Sequence, residues 1–398
     1  MTTETMHARE GLIGQAIAAT GRRLLPRDLT GGMTLTLPSG RQHRIGFQKP
    51  GIHCDLVLRN YRPVFSAMRR GAVGFGESFM TGDVESSDIT SVLRFYLKNR
   101  EALNRAARSV FFKSLGDRLF HLLRQNTRAG ARRNISAHYD LGNAFYAHWL
   151  DETMSYSSGF FGNGAETLQA SQIAKYDLVV DALGLDKPSR ILEIGCGWGG
   201  FAEVAANRGH HVTGLTISRE QLEFARGRLG DRAEIRFQDY RDTTEQFDAI
   251  ASIEMIEAVG EANWPTYFKV LHDRLKPGGS AAVQAITIDR ALYDGYRRKA
   301  DFIQRYIFPG GMLPTKCILA EQAERAGLTF EPVQVFGHDY AQTLALWRER
   351  FEAAWPDIAK LGFDEKFRRR WTYYLSYCEA GFREGSIDVG IYRFRRAG

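Results

Sequence analysis

Four glycines within six residues, Gly195, Gly197, Gly199 and Gly200, follow a short apolar run, Ile191 to Ile194, that carries one acid, Glu193. A helical pattern with Phe201, Val204 and Ala205 on one face comes next. Strand, tight turn and helix in that order make a ligand cradle. Glycine lets the backbone turn sharply and lets a ligand approach where a Cβ would clash, and the free N–H groups of the helix start face the same place. A nucleotide-like ligand is the expected occupant. A dinucleotide site would also need an acid roughly 20 residues further on for the ribose. The second strand here ends in Leu215-Thr216, without one.

The elements that must position this turn follow from the alternation around it. His211 to Thr216 reads as a strand, and Ser218 caps a helix over 219–229. Ile235 to Gln238 is a third strand, ending at Asp239-Tyr240. Phe247 to Ile253 is a fourth, and Ser280 to Ile286 a fifth after a helix over 264–275. Strand–helix alternation predicts an α/β, mostly parallel, doubly wound sheet that binds ligands at the carboxyl ends of its strands. Beyond the fifth strand the spacing predicts helices over 293–306, 317–327, 342–355 and 365–382, with strands over 330–336 and 387–396. Before the sheet, Thr30 to Gly46 reads as a hairpin and Leu56 to Leu58 as a strand. Tyr61 to Arg69 reads as a helix that ends in a glycine-rich turn at 71–77. Together these make a small N-terminal α+β domain.

Net charge is +7, and residues 100–133 carry nine Lys and Arg against two acids. Phe111, Phe112, Leu115, Leu119, Leu122 and Leu123 recur there at helical spacing. A basic amphipathic helix of this kind suits an anionic membrane surface. No nucleic-acid signature accompanies it, so no nucleic-acid partner is expected. No apolar run approaches the length of a membrane span, and the first residues lack a signal peptide's apolar core. The four cysteines, Cys54, Cys196, Cys317 and Cys378, lack metal spacing, so no metal is expected. Free thiols suit the cytoplasm.

Glu193 within the first strand, the Gly-Cys-Gly turn and the Lys276-Pro-Gly-Gly279 turn resemble S-adenosylmethionine-dependent methyltransferases. More segments narrow this resemblance: His138-Tyr-Asp-Leu141, Tyr156-Ser157, Glu193 to Gly199, Gly214 to Ser218, Glu257 in Ile256-Glu-Ala-Val-Gly260, Ile307 to Gly311, and Tyr340 to Leu344. As a set, in order over about 134–396, they are similar to the cyclopropane-fatty-acyl-phospholipid synthases. The resemblance implies a Rossmann-like class I methyltransferase fold. It divides the chain into a lipid-binding-like domain (1–99), a basic linker helix (100–133) and a methyltransferase domain (134–398).

The implied reaction is methyl transfer from S-adenosylmethionine to a double bond of an unsaturated phospholipid acyl chain. The implied product is a cyclopropane chain, the alternative a methyl-branched or methylene chain, and the further alternative methylation of a soluble small molecule. Tyr156, Ser157, Glu193, Gly195, Gly197 and Trp198 would hold the methionine end of the cofactor. Thr216 and Gln221 would hold the ribose, and Asp239 with Tyr240 the adenine. The resemblance also implies a bound bicarbonate as the base. Its side-chain pocket in the family is a Cys, a Glu, a His and a Tyr. Here Glu257 and Tyr340 match, whereas Ser158 stands for the Cys and Gln284 for the His. Glu254 is expected to be structural or exposed. Phe302, Tyr306, Phe308 and Tyr340 are candidates to face a cation on the acyl chain. The implied setting is a cytoplasmic protein, peripheral at the inner membrane surface, and a homodimer.

Overall fold

The computed structural model describes residue 26 and residues 28–108 and 141–398. Residues 1–25, most of the basic stretch and His138-Tyr-Asp140 lie outside them. The chain divides into two compact units. One combines the residues up to Gly116 with Gly362–Glu384. The other combines Asp117–Leu361 with Gly385–Gly398. Gly362–Glu384 therefore packs with the N-terminal residues and not within the continuous 134–398 domain read from the sequence.

The first unit is built on a four-stranded sheet. Its strands are β1 (Thr30–Thr36), β2 (Gln42–Gly46), β3 (Lys49–Leu58) and β4 (Val84–Glu85), in the order β2-β1-β3-β4. The expected hairpin is β1 against β2, with Met33 opposite Ile45. The helix that starts at Arg62 ends at the glycine stretch, as expected: Gly71, at φ 59°, kinks the segment Arg62–Met80 into two helices. The second helix continues through the remaining glycines to Met80. Gly74 has to stay small, because a Cβ there would meet the Ser66 carbonyl at 2.3 Å. The helices Ile89–Lys98, Arg100–Arg108 and Glu365–Arg383 complete this unit among the described residues. Tyr373 packs its ring 5.6 Å from Phe79, and Arg94 pairs with Glu384 at 2.8 Å.

The second unit is a seven-stranded sheet. Its strands are β5 (Arg190–Ile194), β6 (His211–Thr216), β7 (Ala233–Phe237), β8 (Phe247–Ile253), β9 (Leu275–Ile288), β10 (Leu328–Val335) and β11 (Ile387–Arg396). Their order is β10-β11-β9-β8-β5-β6-β7. The five strands from β9 to β7 run parallel, and β11 and β10 close the edge antiparallel. From β5 the chain winds out to β6 and β7, then returns to β8 on the other side. The order thus reverses between β5 and β8, and a doubly wound sheet opens its binding crevice at such a reversal. Ile191, Leu192 and Ile194 of β5, and Ala249, Ile250 and Ala251 of β8, are almost fully buried, as strands covered on both faces must be.

Several elements run differently from the sequence reading. β9 begins at Leu275, so the Lys-Pro-Gly-Gly turn lies within it. The expected helix over 293–306 is two, Arg290–Arg298 and Phe302–Tyr306, because Asp301 starts the second with a capping box to Gln304. The helix expected from Gln342 starts earlier and spans Gly337–Ala353. That brings Asp339, Tyr340 and Thr343 onto one helix.

Candidate active site

β5 delivers Glu193 at the reversal point, opposite Gly214 of β6 and Ala251 of β8. The glycine turn follows. Gly195, Gly197 and Gly199 have φ values of 83°, 51° and 87°, which side-chain-bearing residues rarely adopt. A Cβ on Gly195 would sit 3.0 Å from Met255, whereas one on Gly197 would meet nothing within 4 Å. The turn therefore has an open face at Gly197. Glu193 is buried, and its Oε2 has no hydrogen-bond partner among the described residues. Burial pushes its pKa up to about 8, with the Lys175 ammonium pulling the other way. A buried carboxylate with an unused oxygen beside an open glycine turn fits the cationic amino group of S-adenosylmethionine.

The other expected cofactor residues lie around the same strand ends. The Thr216 hydroxyl donates to Gln221 Oε1 at 2.9 Å. Asp239 accepts both side-chain bonds from Arg241, at 2.8 and 2.6 Å. Tyr240 packs edge-on against Tyr267 at 5.8 Å. Trp198 donates its Nε1 hydrogen to Asn143 at 2.7 Å and packs 5.1 Å from Tyr146.

Tyr156 stands in an aromatic group that the sequence reading found only in part. Its ring lies 5.4 Å from each of Tyr146, Trp149 and Trp347, and 6.3 Å from Phe308. Tyr340 joins through Trp347 at 6.1 Å. Phe302 and Tyr306 instead pair with each other at 5.1 Å. Trp149 and Trp347 went unnoticed; their spacing marked a helix but not the face each would present.

The loop carrying Tyr156 is held from two sides. The helix Leu168–Leu183 aims Gln172 and Lys175 at Ser157: the Gln172 amide donates to its carbonyl at 2.8 Å and Lys175 Nζ to its hydroxyl at 2.6 Å. The helix Gly337–Ala353 holds the far end. Thr343 accepts from the Gly159 N–H at 3.1 Å, and Asp339 accepts from Phe161 and Gly162 at 2.7 and 3.2 Å.

The main correction concerns the acid at the centre. Glu254, expected to be structural or exposed, is the residue on which the other candidates converge. Its Oε1 accepts from the Ser158 N–H at 2.9 Å and the Gln284 amide at 2.7 Å. Its Oε2 accepts from the Tyr340 hydroxyl at 2.6 Å. Its own N–H donates to the Gln284 carbonyl at 2.9 Å. Its φ is 48°, a left-handed backbone that costs a non-glycine residue on the order of 1–3 kcal/mol and gathers at functional sites. Ser158 contributes only its backbone here, since its hydroxyl donates to the Gly159 carbonyl at 2.8 Å. Glu257 lies nearby, with Oε1 accepting from Ile286 N–H at 2.6 Å and Oε2 unpartnered among the described residues.

Both glutamates sit deep in the protein while keeping part of their surface open. Burial, then the Glu254 charge, pushes Glu257 up to about 8. Burial raises Glu254 as well, against its three hydrogen bonds and the Lys175 charge. Three donors against one favour the negative charge on Glu254 over Glu257. Removing the Tyr340 hydroxyl should therefore be felt in stability. Tyr340→Phe is expected to cost about 1.5–3 kcal/mol at pH 7. A fall in thermal midpoint checks it, and an unchanged midpoint would show the bond to contribute nothing.

Residues 126–392 match the family model described as mycolic acid cyclopropane synthetase. The chain belongs to that family. It is 39% identical to the tuberculostearic acid methyltransferase of Mycobacterium tuberculosis, over 98% of this chain and 93% of that protein. It is 37% identical to the cyclopropane-fatty-acyl-phospholipid synthase of Escherichia coli, over 86% and 88%. Among solved structures it resembles a mycolic acid cyclopropane synthase complexed with SAH and CTAB. That likeness has a TM-score of 0.63 and 31% identity, and covers 67% of this chain and 98% of that one. This member of the cyclopropane synthetase family is thus an S-adenosylmethionine-dependent methyltransferase of class I fold, related to enzymes that modify lipid acyl chains. Among the described residues no helix is long and apolar enough to cross a membrane, and no cluster of potential metal ligands occurs.

Proposed function

We propose that this methyltransferase transfers a methyl group to a double bond of an unsaturated phospholipid acyl chain and releases a methyl-branched or methylene chain, not a ring. The observation that carries the reading is the state of the polar cluster. Ser158 Oγ, the Gln284 amide and the Tyr340 hydroxyl are spent on the Gly159 carbonyl and on Glu254. Three of the four side chains that would hold a separate anion are engaged, Glu257 being the fourth, and the Glu254 carboxylate takes the donors an anion would need, so bicarbonate does not fit this pocket. The 39% identity to a tuberculostearic acid methyltransferase over nearly the whole chain supports the same product class.

S-adenosylmethionine supplies an electrophilic methyl when bound, and the protein's own groups do the rest. Glu193, Gly195 and Gly197 take its amino-acid end, with Tyr156, Ser157 and Trp198 closing over it. Thr216 and Gln221 take the ribose, and Asp239 with Tyr240 the adenine. An alkene is a weak nucleophile, so alignment matters most, and good positioning is worth roughly 7–11 kcal/mol of barrier. After attack, positive charge develops on the chain. The rings of Tyr156, Trp347, Phe308 and Tyr340 exclude water and stabilise that cation by about 0.5–2 kcal/mol each.

The test uses vesicles of unsaturated phospholipid and S-adenosylmethionine with a trideuterated methyl. Labelled acyl chains that still react as alkenes are expected. Three retained deuteriums mean that a chain carbon lost the proton, and two mean that the new methyl did. A labelled chain inert to alkene reagents is a ring and overturns the product. Label absent from lipid overturns the lipid reading in favour of a soluble substrate.

We read the enzyme as peripheral at the cytoplasmic face of the inner membrane, drawn there by the basic residues of 100–133. Raising salt from 0.05 to 0.5 M, through the range where the screening length shrinks below about 10 Å, is expected to lower the rate on anionic vesicles several-fold. A rate indifferent to salt would remove the electrostatic part.

A further inference from the structure

We propose that the Glu254 carboxylate is itself the general base of this enzyme, built into the position of a separate anion. The proposal rests on the acyl-methylation reading above. Its geometric support is the convergence of three donors from three distant elements on one carboxylate: the Ser158 N–H from the Tyr156 loop, the Gln284 amide from β9, and the Tyr340 hydroxyl from the helix Gly337–Ala353. A left-handed backbone at Glu254 holds the carboxylate there. Strain of this kind persists only where the surroundings over-determine it. A merely structural carboxylate at the end of β8 would turn outward and relax. This one is directed inward, beside the glycine turn whose Gly195 faces the adjacent Met255.

The step balances without a further reactant. The π electrons of the acyl double bond form the new C–C bond to the methyl carbon as its bond to sulfur breaks, and sulfur keeps that pair. The chain is left as a cation. A proton then leaves carbon for Glu254, and the C–H electron pair becomes the new double bond. If the proton comes from the new methyl, a hydride first moves between the two former alkene carbons, and the product is a methylene chain. Glu254 ends as a neutral acid and returns its proton to water once product leaves.

The charged and titratable groups facing Glu254 are Tyr340, Glu257 and Lys175. Glu257, protonated, adds no second charge, and the Lys175 ammonium favours the ionised base. Because burial raises Glu254, turnover is expected to fall with acidity at a pH above the ordinary glutamate range. The sign follows from the role, since the base works only when ionised.

The experiment compares wild type, Glu254→Gln and Glu254→Gly in buffer stripped of carbon dioxide, with and without added bicarbonate or formate. Methyl label in vesicle lipid is the readout, and binding of S-adenosylhomocysteine is the control for folding. Wild type is expected to turn over at full rate without bicarbonate. Glu254→Gln should lose at least a hundredfold with cofactor binding kept. Glu254→Gly, where glycine suits the left-handed backbone, should be inactive alone and regain turnover with millimolar formate or bicarbonate. Wild type that stalls without bicarbonate overturns the proposal, as does an active Glu254→Gln. Glu254→Gly that binds cofactor but is rescued by neither anion also counts against it. Wild type that labels no lipid in any buffer overturns the acyl-methylation reading itself, and the proposal with it.

Discussion

Lys175→Met is expected to move the acid limb of the rate profile upward and to lower turnover on its acid side by up to about a hundredfold. Lys175 is the one Lys or Arg among the fully buried side chains of the described residues. Its ammonium donates to Ser157 Oγ at 2.6 Å and lies 4.1 Å from the Tyr176 ring centroid. Burial pulls it down to about 8, while Glu254, Asp151 and Glu193 hold it charged. Glu254 depends on it in return, because a buried anion without a nearby cation recovers a proton. Each unit by which the Glu254 pKa rises costs about 1.4 kcal/mol for the ionised base. Two units would cut the ionised fraction about a hundredfold relative to wild type at pH values below the wild-type pKa. The sign is testable. Loss of the ammonium makes the carboxylate harder to ionise, so the variant should recover toward the wild-type rate as pH rises. A rate lowered equally at every pH would show instead that Lys175 serves only to hold the Ser157 loop.

Glu193→Gln is expected to weaken cofactor binding by roughly tenfold to a hundredfold, as loss of a charge-assisted bond of about 1.5–3 kcal/mol requires. The wild-type carboxyl, pushed up to about 8, holds a proton at pH 7. A cationic amino group arriving beside Oε2 favours the ionised form, so binding should expel close to one proton. Affinity should therefore rise with pH toward 8. Calorimetry at pH 7 in two buffers of different ionisation heat measures the proton directly. The glutamine variant should release none. Proton release that survives the substitution would place the titrating group elsewhere.

Why Glu193 was legible in the sequence and Glu254 was not is a matter of what each depends on. Glu193 announces itself locally, by an acid inside an apolar strand that runs into a glycine turn. The doubly wound sheet is equally local, since alternation of strand and helix fixes it. Glu254 sits at the end of β8, in an Ile-Glu-Met-Ile context that reads as an ordinary strand exit. Its role is made by Gln284 and Tyr340, far along the chain, and by a backbone angle that no spacing encodes. Its place at a strand's carboxyl end beside the sheet reversal was the available signal. Ser158 shows a related limit. Its position was identified, but its hydroxyl turns to Gly159 and only its N–H reaches the cluster. The glycines of 71–76 were legible in part: Gly71 makes the expected break, while the glycines after it lie in a second helix, where Gly74 packs against Ser66.

Because the helix Glu365–Arg383 belongs to the same unit as β1 to β4, that unit is discontinuous in the chain, with residues 117–361 threaded between its parts. During synthesis the four-stranded sheet leaves the ribosome long before the helix whose Tyr373 covers Phe79. At roughly 5–20 residues per second the wait is on the order of tens of seconds. The early sheet thus waits for a late helix, and until then its apolar face is a surface for chaperones to guard. A stop codon between Ala353 and Glu365 would strip that early unit of its cover while sparing every side chain placed at the site.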